Sequence, residues 1–437
     1  MSVNLNRLQN LEVKALLACT LLIIAFGRWI TQVWLGPLPL LDATFQLIVF
    51  LHCVGFYRKM SQTKLKMNGR YLFGFLKIYF FFLIVKIVAA ILSGKYPTET
   101  ILRDMTCFLV ISQIPVIVNI FIKIDAGDAW NRRVSKLLAL SGFIALIHAS
   151  FSVFLTSSLG WSLSLPVIQL QANILSVRSD QFICAISPLL IFLISNIAHN
   201  HNRFWSVLVF GVLVLFVLTK LQSRAVLIAT VASILLGIIM ILNNSRIKPE
   251  EKLLSFSFLI MAAPITFELI SKVPSFRRLA SGLGLNNALL DGDAITSGAI
   301  GTQHARQQAW QLVMSDWRSN FIFEGYPAGF HFIQATGAIY FLSGSLDVRW
   351  PHNFFISALV RNGIVFGVLL IIAILTTIRI SLLNAKSESN TTLDWQILAF
   401  QISTLVVSAL GVVMESPFGY LPFVILTSIS VSRYFSK

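Results

Sequence analysis

Apolar runs of about 18 to 25 residues recur along the chain, each long enough to form a membrane-spanning helix. Short polar segments separate them until one long polar stretch, from about Ser271 to Trp350, interrupts the pattern. Within the runs polar and apolar positions do not alternate, so the pattern predicts helices and not the strands of a closed barrel. The predicted helices cover 13–35, 38–57, 71–93, 100–122, 134–156, 181–198, 204–220, 224–242, 253–271, 354–380, 394–414 and 418–434. The expected fold is all-α: a polytopic transmembrane helical bundle of about twelve helices with one large external loop. It divides the chain into helices one to nine over 1–270, a loop with short helices over 271–350, and helices ten to twelve over 351–437. The Gly- and Asn-rich stretch from Asn286 to Gly301 reads as a flexible crossing within the loop. Residues 157–180 read as a second external segment. Residues 1–12 are polar, and Val13 to Leu35 is too long for the apolar core of a cleavable signal, so the first run reads as a spanning helix.

Composition agrees with a membrane protein. Of 437 residues, 56% are hydrophobic and only 12% charged, and the mean hydropathy is +0.79. A soluble domain carries about 25% charged residues. The net charge of +16 is scattered over many short loops, which speaks against a nucleic-acid partner. Much of it falls in segments on the N-terminal side of the bundle: Arg58, Lys59, Lys64, Lys66 and Arg70; Lys123, Arg132, Arg133 and Lys136; Arg246, Lys248 and Lys252. By the positive-inside rule both termini are cytoplasmic and the long loop faces outward. In a Gram-negative cell that is the periplasmic side of the inner membrane. Cys19, Cys53, Cys107 and Cys184 lie in or beside apolar runs and form no CxxC pair, so each reads as a small buried hydrophobe.

Three polar sites carry candidate chemistry. Lys220-Leu221-Gln222-Ser223-Arg224-Ala225 interrupts two apolar runs on the outer side. An arginine there either snorkels to headgroups or meets an anion, and its planar fork suits diphosphate oxygens. In His304-Ala305-Arg306-Gln307-Gln308-Ala309-Trp310, Arg306 and Trp310 are four apart and share a helix face. Gly325, Pro327 and Gly329 in the NFIFEGYPAGF stretch then predict a tight turn. Pro351-His352-Asn353 places a histidine at the mouth of an apolar helix, where it caps the helix or takes a proton near neutral pH. Gly363 and Gly367 further on predict close approach of another helix. No spacing among Asp316, Glu324, Asp347 and Glu415 selects a catalytic pair, so they read as arginine partners or solvated charges.

In this order, these segments resemble the O-antigen ligase and O-antigen polymerase superfamily of bacterial membrane glycosyltransferases. The resemblance rests on Ser223-Arg224-Ala225, on Arg306 with Trp310 and the Gly325/Gly329 turn, and on His352-Asn353 with Gly363 ten positions after Asn353. It implies transfer of a glycan from undecaprenyl diphosphate to a sugar hydroxyl; lipid diphosphate is a good leaving group, so no nucleotide cofactor is expected, and the sequence shows no metal-ligand cluster, so no metal is expected. Arg224 and Arg306 match family arginines and would bind the diphosphate and stabilise charge on the leaving group. Arg178, in VRSDQF, matches a further one. His352 matches the family histidine and would orient or deprotonate the acceptor hydroxyl. Lys220, Trp310 and Asn353 join Arg178 as expected substrate-binding residues. Arg361 stands where the family often has an acidic residue, and it too becomes a candidate substrate contact.

The acceptor separates two activities. A polymerase extends another lipid-linked repeat unit and is the expectation here; a ligase delivers the glycan to lipid A core. Besides donor, acceptor and membrane lipids, a chain-length regulator is a partner by family analogy. The reading from another class is a transporter of lipid-linked oligosaccharide, but the chain shows no internal repeat and its polar groups sit toward the outer face.

Overall fold

In the computed structural model, residues 2–31, 34–35, 38–56, 67–122, 127–158, 178–199, 211, 213–214, 217, 223–243, 249, 252, 294–342, 348–387 and 390–436 are described. Their architecture is helical. The elements are α1 (Ser2–Phe26), α2 (Arg28–Thr31), α3 (Leu40–Phe56), α4 (Met67–Leu92), α5 (Thr98–Ser112), α6 (Ile114–Ile122), α7 (Asp128–Ser158) and α8 (Ser179–His199). They continue with α9 (Arg224–Asn243), α10 (Ala294–Asn320), α11 (Phe332–Ala335), α12 (Ile339–Leu342), α13 (Phe354–Lys386), α14 (Thr392–Ser408) and α15 (Pro417–Ser436). Trp34–Leu35 and Leu38–Pro39 form a two-residue antiparallel ribbon. The runs expected as helices over 204–220 and 253–271 lie mostly outside the described residues.

Among the described residues, four helices are long and apolar enough to cross a membrane, in α4, α7, α9 and α13. A fifth arises if α5 and α6 are taken as one broken span, bent by 41°. Sequence periodicity predicts one helix over 100–122; Pro115 interrupts it, because it has no N–H for the carbonyl one turn back. Gln113 instead turns its N–H to Val110 O at 3.1 Å. The first helix also stops earlier than expected, at Phe26, where Gly27 takes φ 51°. In the loop, α10 begins at Ala294, inside the stretch expected as a crossing.

The core lies where α8 packs on α7, α9 and α14, and where α15 packs on α6 and α13. Hydroxyl side chains inside it bond to their own helix, as Thr404 does to Phe400 O at 2.7 Å, so burial leaves them satisfied. Outward, α4 exposes Ile78, Phe81, Val85 and Leu92, and α13 exposes Val365, Ile372 and Leu375. Exposed apolar faces of this extent fit contact with lipid.

One local feature positions the site. Inside α13, Gly363 has φ 74° and ψ 172°, which breaks the helix in two. The turn of residues 321–330 enters the break: Tyr326 N–H donates to Val360 O at 2.7 Å and Ile364 N–H to Ile322 O at 2.8 Å. A side chain at Gly363 would sit 1.8 Å from Phe323 O. Gly363 thus admits a loop backbone, not the neighbouring helix the sequence suggested. Gly367 packs close to the first half of its own helix, with an added Cβ 2.8 Å from Ala358 O. The second half, 364–386, is about 34 Å long by helical rise, enough to cross a bilayer by itself.

Candidate functional site

The site forms where α8, α10, the start of α13 and the α14–α15 turn meet. His352 precedes Asn353, the cap of α13, and is the one described non-glycine residue with positive φ, 57°. Left-handed backbone at such a residue stores strain and marks a position held by its surroundings. The surroundings are evident on both sides. Pro351 O accepts the Trp310 indole N–H at 2.6 Å. Asn353 caps α13, its Oδ1 accepting from Phe355 N–H at 3.0 Å and Ile356 N–H at 3.2 Å. The Asn353 side chain therefore holds the helix start that carries His352.

Two arginines approach this histidine. Arg306, on α10, donates from Nη1 to Leu410 O at 2.8 Å in the turn after α14. Arg178, just before α8, pairs with Asp180 at 3.2 Å and lies 5.7 Å from the Phe418 ring. Burial first, then the charges of Arg306 and Arg178, push the His352 imidazole down from 6.5 to about 4. Near neutral pH the ring is uncharged and can accept a proton. Burial also lowers Arg306, and Asp180 partly offsets this; a guanidinium stays charged regardless.

Glu415 completes the group. By sequence alone it is an arginine partner or a solvated charge. In the structure it is buried in the α14–α15 turn and accepts the Ser357 hydroxyl on Oε1 at 2.8 Å. Oε2 has no hydrogen-bond partner among the described residues. Burial pushes its carboxyl up to about 8; the Ser357 bond and Arg178 offset part of this, and Asp180 adds to it. The available signal was position: a lone carboxyl between two apolar runs, in Met414-Glu415-Ser416-Pro417. Ser357 and Asp180 gave no such signal, since each is ordinary until the helices meet. With Glu415 protonated and His352 neutral, Arg178 and Arg306 outweigh Asp180. The site carries net positive charge and suits an anion.

Other expected site residues are placed differently. Arg361 is fully buried in the first half of α13. Its Nη2 donates to Asp104 Oδ2 at 2.7 Å, its Nη1 donates to Pro327 O and Phe330 O, and its guanidinium lies over Phe332 at 4.6 Å. It pins the 321–330 turn to α5. Lys86 lies on the same side and donates to the carbonyls of Glu324 and Arg361. Arg224 opens α9, as its motif predicts, but its side chain and all of Lys220 lie outside the described residues. Cys19, Cys107 and Cys184 are buried, while the Cys53 side chain also lies outside the described residues.

No protein-family model matches the chain, and no curated protein matches it in sequence.

Proposed function

We propose that this protein is a membrane glycosyltransferase that moves a glycan from undecaprenyl diphosphate to a sugar hydroxyl. The acceptor is another lipid-linked repeat unit, so the activity is polymerisation of O-antigen or a related surface polysaccharide. The reaction takes place on the periplasmic side of the inner membrane of a Gram-negative cell, within a bundle of about twelve spans. One observation supports it: an uncharged, strained histidine flanked by two arginines at the end of an apolar helix.

Arg306 and Arg178, with Arg224 as a third cation, bind the diphosphate of the donor. Its negative charge offsets the guanidinium charges and raises the proton affinity of His352 at the moment it is needed. His352 then takes the proton of the acceptor hydroxyl. The hydroxyl oxygen bonds to the anomeric carbon as the bond from that carbon to the diphosphate breaks. The departing electron pair ends on the diphosphate, where the arginines stabilise it.

The test is complementation of a deletion strain by His352→Ala, with protein level checked by blot and surface glycan read on a gel. Loss of the glycan ladder at normal protein level is the expected result. Single repeat units remaining on lipid A core identify a polymerase; long glycan accumulating on the lipid carrier identifies a ligase. An unchanged ladder removes the histidine from the mechanism and returns oligosaccharide transport as the leading alternative.

A further inference from the structure

Beyond the arginine–histidine site, α10 carries a groove of about 670 Å³ open to solvent. Gln307, Trp310, Gln311, Met314, Ser315 and Arg318 line it. These positions recur at three- and four-residue steps, so they form one continuous face of the helix. From Gln307 the lining extends as far as Ser319, which by helical rise spans about 18 Å, long enough for several sugar rings.

We propose that this groove holds the glycan of the acceptor, an assignment that rests on the glycosyltransferase function above. Toward its Gln307 end lies Trp310, whose indole N–H is fixed on Pro351 O, one residue from His352. A chain lying along α10 would therefore reach the segment that carries His352. The diphosphate subsite adjoins this stretch, at Arg306, one turn before Trp310 on the same helix, and on the α8 side at Arg178.

The lining chemistry matches a hydroxyl-rich ligand. Gln307 and Gln311 offer both donors and acceptors, Ser315 adds a hydroxyl, and Arg318 adds fixed donors. The Trp310 ring and Met314 supply apolar surface for the C–H side of a sugar. An ordinary solvated helix face would carry several charges of both signs. This one carries Arg318 alone, because Asp316 points away to the Tyr326 hydroxyl at 2.6 Å and to Asn320 at 2.8 Å.

The probe is the delipidated repeat-unit oligosaccharide released from the source cell's surface glycan. Its binding to the purified full chain is read by saturation-transfer NMR, and acceptor KM is measured with lipid-linked repeat units at a fixed concentration of a longer lipid-linked glycan as donor. Ser315 is exposed, so Ser315→Trp fills the groove without entering the core. Gln311→Ala removes one amide. Expected are loss of probe binding in Ser315→Trp and a rise of about tenfold in acceptor KM in Gln311→Ala, the scale of one lost hydrogen bond. Wild-type probe binding and acceptor KM in both variants would overturn the assignment, as would failure of the wild-type chain to bind the probe. Absence of glycan transfer by the wild-type chain, with probe binding still lost in Ser315→Trp, would count against the glycosyltransferase function and leave the groove as a glycan site.

Discussion

Arg349 grips Asp104 with two hydrogen bonds, Nε to Oδ1 at 2.8 Å and Nη2 to Oδ2 at 2.6 Å. Arg361 meets the same carboxylate, and Arg349 also donates to Gly329 O at 2.9 Å. One acid on α5 thereby ties down the segment just before His352 and the turn at the break in α13. Asp104→Ala leaves two buried guanidinium groups without their acid. Loss of a buried partner of this kind costs about 3–5 kcal/mol. A clear fall in the thermal unfolding midpoint of the purified protein is expected; a wild-type midpoint would show that the clamp does not hold the fold.

Gly363→Ala should be far worse than a surface glycine change. At φ 74° and ψ 172° an alanine enters a region essentially reserved for glycine, at a cost of about 1–3 kcal/mol, and its methyl group would collide with Phe323 O, 1.8 Å from the Cβ position. Gly74, with nothing within 4 Å, is the control. Membrane-inserted yield, followed by fluorescence size-exclusion, should drop for Gly363→Ala and hold for Gly74→Ala. Equal yields would contradict the loop insertion.

His352 is held at about 4, below its ordinary 6.5. A group with a lowered folded value contributes stability that is present above about 6.5 and lost as pH falls to 4. His352→Gln should flatten the stability profile across that window. Arg306→Ala removes one of the charges that lower the ring, so the His352 value should rise. Added inorganic diphosphate should raise it in the wild type as well. Histidine NMR titrations, with His352→Gln identifying the signal, check all three directions, and an unmoved resonance would disprove the coupling.

Glu415 titrates the other way. Its carboxyl is raised from 4.5 to about 8, so the folded state keeps a proton that the unfolded chain has lost. That contribution is complete below about 4.5 and disappears as pH rises through 8. Glu415→Gln keeps the shape and the acceptor for Ser357 but cannot ionise. Its unfolding midpoint should therefore vary less than wild type between pH 5 and pH 8. Parallel profiles would mean that Glu415 is already ionised in the folded protein.

Much of the helical framework was legible. The expected helices 71–93 and 224–242 agree closely with α4 and α9. Boundaries failed where turns compete with apolar periodicity: α14 ends at Ser408, well before 414, because residues 409–416 form the turn that carries Glu415. The site was legible in part. Arg306, Trp310 and His352 stood out as polar residues beside apolar helices, and the structure brings them together around Pro351. Arg361 also stood out, yet it pairs with Asp104, 257 positions away, a partner no local pattern can reveal.

The sequence by itself determined that this is a bundle of apolar helices with its cations near the helix ends, because a lipid solvent imposes run length and backbone satisfaction on each segment separately. Tertiary structure alone decided which ends converge. The break at Gly363 opens only because the 321–330 turn supplies hydrogen bonds to its exposed backbone. His352 loses its charge because packing buries it and then brings Arg306 and Arg178 beside it, and Glu415 keeps its proton because packing buries it against the start of α13. Each of these depends on desolvation and on charges from distant parts of the chain, quantities that exist only after the helices have packed.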